Sequence, residues 1–194
     1  MSYEDGLPPE LFTRPAHKRT RRLKVDLAQT SFFDGREFRT FKEISIAGND
    51  TYLVRAVVPI DIILHSLSVS VDTGHLRVET NVGGTPTGTF SETLPAFAGN
   101  TMTGVANRET PYYTPAVVLT AVPTGGTLTD GLALDVIRIK TASNTQQAAT
   151  VGFGPTDERG VVANTYYFKF TALTNDAVEG VWRARWEERP TPLP

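Results

Sequence analysis

The stretch Val71-Asp72-Thr73-Gly74 is where residue type and spacing come nearest to a catalytic pattern. Aspartic proteases carry a carboxylate in an apolar-apolar-Asp-Thr-Gly loop, and two such loops meet so that two carboxylates share one proton. Here the residue before Val71 is Ser70, and no second Asp-Thr-Gly occurs, so only a homodimer would supply the partner carboxylate. The same residues read more simply as a short turn with glycine at positive φ. The histidines His17, His65 and His75 are scattered, with no HExxH and no His/Asp/Glu cluster at ligand spacing. Asp61 and His65 are four apart, a spacing that does not bring side chains together on a strand. No GxSxG, GxxxxGK[ST] or GxGxxG is present. With no cysteine there is no disulfide framework, thiolate zinc site or cysteine nucleophile. The chain is therefore expected not to be an enzyme, and to use no cofactor and no metal.

The elements that would position side chains are strands. Leu67, Val69 and Val71 alternate with Ser66, Ser68 and Ser70, and after Asp72-Thr73-Gly74, Leu76 and Val78 alternate with His75, Arg77 and Glu79. This period of two predicts a hairpin with one aliphatic face. Tyr52 to Leu64 is a nearly unbroken apolar run containing Pro59, which predicts two strands joined at the proline. Farther on, Tyr166, Phe168 and Phe170 oppose Tyr167, Lys169 and Thr171. Beyond Thr174-Asn175-Asp176, Trp182, Ala184 and Trp186 oppose Arg183 and Arg185, which reads as a second hairpin carrying an aromatic core. In Leu132–Lys140 the apolar parity changes between Val136 and Ile137, which predicts either a strand covered on both faces or, more simply, a β-bulge. Ala116–Val122 and Ala148–Phe153 add further strands. Many short strands punctuated by Gly, Pro, Asn and Asp, without an amphipathic helix, predict an all-β fold: an antiparallel β-sandwich or jelly-roll-like domain with an extended N-terminal arm.

The predicted boundaries are an arm over 1–37, a β-domain over 38–188 and a proline-rich tail over 189–194, with EERPTPLP reading as strand-free. The 194 residues, 40% hydrophobic, suffice for one core. The arm carries Arg14, Lys18, Arg19, Arg21, Arg22 and Lys24 without an intervening acid. Glu4, Asp5, Glu10, Asp26, Asp34 and Glu37 flank this cluster, and beyond a Debye length of about 8 Å they dilute its field. The formal net charge is −2, so nucleic acid is not the expected partner. The plain reading of the cationic stretch is a solvated charge run, against which Phe12, Leu23, Phe32 and Phe33 predict an arm that docks on protein. Within 81–115 a Gly/Thr/Ser/Pro-rich segment carries Phe90, Leu94, Phe97 and Met102, expected as a second set of partner contacts. The competing reading is a local loop stapled to its own sheet by Phe90 and Phe97. No signal-peptide pattern and no apolar run of about 20 residues is present, so a soluble, non-secreted product without membrane contact is expected.

RTFKEISI, VVPIDIILHSLSVSV, the GGTPTGTFSETLP loop and the arm-plus-β-domain layout together resemble small virion proteins of tailed bacteriophages, notably jelly-roll-like head decoration (cement) proteins. The resemblance implies a non-enzymatic protein made in the host cytoplasm and resident in the virion. It would form a small homo-oligomer, a dimer or trimer, whose arms clamp the major capsid protein or other virion proteins. Neck, tail and fibre-adaptor subunits share this style. A carbohydrate- or receptor-binding module using Tyr112, Tyr113 or the tryptophans is the rival from another class.

Overall fold

A computed structural model describes residues 35–98, 114–141, 147–152 and 159–188, together with two short strands nearer the N-terminus. The chain divides after Thr30 into two units. In the first, β1 (Phe12–Thr13) pairs antiparallel with β2 (Arg22–Leu23), Phe12 opposite Leu23. The predicted arm thus contains a two-residue ladder; of the cationic residues, Arg22 is in β2, Arg14, Lys18, Arg19 and Arg21 come between the two strands in sequence, and Lys24 follows them.

The second unit runs β3 (Glu37–Ile46), β4 (Thr51–Val58), β5 (Ile62–Thr73), β6 (His75–Val82), β7 (Thr85–Thr87), β8 (Glu92–Leu94), β9 (Phe97–Ala98) and β10 (Val118–Val122). It continues through β11 (Thr127–Thr129), β12 (Leu132–Lys140), β13 (Gln147–Gly152), β14 (Arg159–Val161), β15 (Asn164–Ala172) and β16 (Val178–Glu188). One sheet has the order β13-β5-β16-β3-β9, with β14 also on β5, and the other β12-β6-β15-β4-β10-β8. Every described pairing is antiparallel. Leaving out the insertion β7–β11 and the short β14, eight strands remain. Numbered in chain order, they lie 6-3-8-1 in one sheet and 5-4-7-2 in the other, which is a jelly roll.

Both predicted hairpins are corrected by this topology. β5 and β6 belong to different sheets, as do β15 and β16. Each pair is an arch whose aliphatic or aromatic sides face one another across the sandwich, about 10 Å apart, instead of lying side by side about 4.8 Å apart. Gly74 alone separates β5 from β6, at φ 84°, and a Cβ there would come within 2.8 Å of the Ala177 carbonyl oxygen. Thr141 caps this arch, its hydroxyl donating to the Gly74 carbonyl at 2.8 Å. Asp72 and Thr73 therefore end a strand at a sheet-to-sheet corner.

Between the sheets, Trp182 is fully buried against Phe168 (5.4 Å between ring centroids) and Phe170 (6.1 Å, edge-on), while Phe38 meets Trp186 at 6.0 Å. The apolar run of β4 has its explanation here. Tyr52, Val54 and Ala56 enter the main core, whereas Leu53 packs outward with Val122 and Tyr167 under the insertion. A strand covered on both faces does not alternate. The bulge in β12 falls between Ala133 and Asp135, and Ile139 is the end that turns inward.

Two local readings also change. The segment 81–115 begins inside β6 and contains β7, β8 and β9, so it is not one loop. Glu187 and Glu188, at the start of the EERPTPLP stretch that reads as strand-free, belong to β16 and are buried.

Candidate functional site

The site is built on the outward side of the first sheet. Strand alternation that sends Phe38, Thr40 and Trp182 inward sends Arg39, Phe41 and Arg183 outward. Register then sets them side by side: Arg185 lies opposite Arg39 on one flank and Ser66 on the other, and Arg183 lies between Phe41 and Ser68. β9 brings Phe97 opposite Arg39, and its ring stacks on Phe41 with centroids 5.6 Å apart and planes 16° apart. Phe41 is 52% exposed and Phe97 40%. The face lines an open concavity of about 510 Å³.

Electrostatics make this face more than an exposed sheet. Like charges directly opposite on paired strands destabilise the pair, yet Arg39 and Arg185 are such a pair. Glu37, nearly buried, accepts from the Arg185 Nε and offsets one of the three guanidinium charges. Arg39 and Arg183 have no ion-pair partner among the described residues. Such an arrangement can bind anionic groups through bidentate guanidinium hydrogen bonds while the phenyl stack covers apolar surface.

The sequence-predicted contact residues fare differently. Leu94 is 3% exposed and sits in the main core, so it anchors the insertion internally and offers a partner nothing. Phe90 lies under the Arg55 guanidinium, 4.1 Å from ring centroid to Cζ, and packs on Leu53, Val122 and Tyr167. The stapled-loop reading fits that side of the insertion, whereas Phe97 stays exposed at the arginine face. Phe12, Arg22 and Leu23 lie in the β1–β2 ladder. Arg14, Lys18, Arg19, Arg21, Lys24, Phe32, Phe33 and Met102 lie outside the described residues, as do Tyr112 and Tyr113. Both tryptophans are buried and cannot serve as a stacking platform. Sequence reasoning did not single out Arg39, Ser66, Ser68, Arg183 and Arg185 as a site, although the alternation of Arg183 and Arg185 with tryptophans marked two of them as outward.

Two other places carry a cavity or a cluster of polar side chains. An apolar cavity of about 70 Å³ lies between the sheets beside Trp182, Tyr166 and Val117. It is smaller than the ~150 Å³ in which an engineered apolar cavity takes up benzene. The second is a polar clamp: Lys42 of the first sheet and Tyr52 of the second both donate to Glu92 of the insertion, the phenol at 2.8 Å. Burial first, and then the bond to Glu92, raises the Tyr52 pKa, keeping the phenol a donor. Burial works to raise the Glu92 pKa too, but the hydrogen bonds from Lys42 and Tyr52 outweigh it and leave the net value lowered. A depressed carboxyl pKa contributes stability above the ordinary value of 4.5, and that contribution is lost as pH falls through the lowered value. Acid unfolding monitored by circular dichroism should therefore be less steep between pH 4.5 and that lowered value in Glu92→Gln than in the parent. Parallel pH profiles would remove the clamp from the account.

Among the described residues no group of three or more His, Cys, Asp or Glu is placed to hold a metal, and no helix is long and apolar enough to cross a membrane. Comparison with protein-family models and with curated proteins finds no match to the chain.

Proposed function

We propose that the chain is a non-enzymatic structural subunit of a tailed-bacteriophage virion, best read as a head decoration protein that cements the major capsid shell as a small homo-oligomer. The observation that carries this reading is the outward arginine and phenylalanine face. It is a rigid, strand-borne surface with positive charge that the described acids leave largely unpaired, as suits docking on another macromolecule. The jelly roll itself recurs in viral capsid and lectin domains, which supports the reading by analogy of fold. The division of the chain after Thr30 supports the clamp, because a first unit carrying apolar residues gains free energy by burying them on a partner. A neck, tail or fibre-adaptor subunit would use the same face and arm.

The test is co-sedimentation of the full chain, and of residues 31–194, with shells of the major capsid protein. The division after Thr30 places the cut, since a break at 37 would remove Glu37 from its pair with Arg185. The full chain is expected to sediment with the shells, and the shortened chain to fold but bind at least tenfold more weakly. Equal binding would make the arm a passive tail, and no binding by either would end the cement reading.

A further inference from the structure

We infer that the outward face of the first sheet is a docking site for an extended acidic segment of a partner protein, one that presents carboxylates at every second residue beside an apolar side chain. The inference rests on the docking role proposed above and names the chemistry of the partner.

Spacing and charge point to that occupant. Arg183 and Arg185 are two residues apart on one strand, so their Cα atoms are separated by about 6.7 Å. An extended peptide repeats its same-side carboxylates at the same interval, so Glu-x-Glu matches the two guanidiniums in register. Arg39, directly across from Arg185, widens the positive row to a second strand. Ser66 and Ser68 border the row on the other flank and can donate to the same carboxylates. The Phe41–Phe97 stack lies beside this row and is large enough to cover one apolar side chain.

Acids bound the positive row at both ends along the strands. Past Arg183 the same side of β3 and β16 carries Glu43 and Glu179, both exposed, and past Arg185 and Arg39 it carries the buried Glu187 and Glu37, the latter engaged by Arg185. An acidic segment is attracted to the arginines between these acids, so it is held over the concavity and not along the whole sheet.

The probes are the peptides acetyl-Glu-Val-Glu-Val-Glu-amide and its glutamine counterpart, with an oligogalacturonate as an anionic sugar, titrated into the full chain at low salt. The glutamate peptide should bind at least tenfold more tightly than the glutamine peptide, with preference over the oligogalacturonate. The double variant R39A/R183A, altered only at exposed side chains, should lose that advantage. Equal binding of the two peptides, absence of binding at millimolar peptide, or an unchanged double variant would overturn the inference. Tighter binding of the oligogalacturonate would overturn it too, in favour of an acidic-glycan site. Sedimentation of R39A/R183A with capsid shells separates the two proposals. Undiminished attachment sinks this docking site and leaves the cement role standing, whereas a peptide contrast that persists in a chain unable to bind shells sinks the cement role alone.

Discussion

Trp182→Ala is expected to lower the free energy of unfolding by about 3–5 kcal/mol, the usual range for truncating a buried aromatic. Trp182 sits in the middle of β16, which is itself flanked by β5 and β3, and its indole faces Phe168 and Phe170 of the other sheet. Removing it takes away contacts that hold the two layers together, and backbone in paired strands cannot collapse to fill the space. The indole Nε1 is buried without a hydrogen-bond acceptor among the described residues. Trp182→Phe should accordingly be mild, about 1 kcal/mol, because the smaller ring leaves a limited void while the unpaired donor disappears. Urea unfolding followed by far-ultraviolet circular dichroism measures both. Similar losses for the two variants would mean that the N–H does have a partner and that ring packing is not the dominant contribution.

Glu188→Ala is expected to cost about 3 kcal/mol, although no cation pairs with this carboxylate among the described residues. Glu188 is fully buried and accepts from the backbone N–H groups of Ala116 (2.9 and 3.0 Å) and Val117 (3.0 Å), and from the Trp186 indole (3.2 Å). Alanine would leave these three donors without an acceptor, those of Val117 and Trp186 buried and that of Ala116 partly so, and each orphaned buried donor costs on the order of 1–3 kcal/mol before relaxation. Relaxation has a direction here. The chain at Ala116 can move away from β16, and the amides of Ala116 and Val117 should then lose protection against hydrogen exchange more than those of β5 or β15. Glu188→Gln keeps one acceptor oxygen but turns an amide N–H₂ toward the donors, so its loss should fall between those of the parent and alanine. A cost under 1 kcal/mol for alanine would show that residues 114–117 are held by other contacts.

The two predictions draw on residues that the sequence made visible to different degrees. Alternation placed Trp182 and Trp186 inward and Arg183 and Arg185 outward, and the structure keeps that division along β16. It works because a strand sends successive side chains to opposite faces whatever lies beside it. Glu188 carried no such signal. A carboxylate before Arg-Pro reads as solvated, and only the approach of Ala116 and Val117, more than 70 positions earlier, makes burial tolerable.

The amino-acid order by itself determined the class of fold, the inward and outward sides of most strands, the break at Pro59 and the presence of a bulge in β12, since all of these follow from local periodicity and backbone chemistry. Only the tertiary structure decided which strands are neighbours. Leu67-Val69-Val71 and Leu76-Val78 look the same whether they flank each other in one sheet or face each other across two, because a tight turn signals a reversal and not the plane in which it happens. The arginine face belongs to the same category. Arg39, Ser66 and Arg185 come from three strands spread over most of the chain, and it is the register of β3, β16 and β5 that makes them one surface.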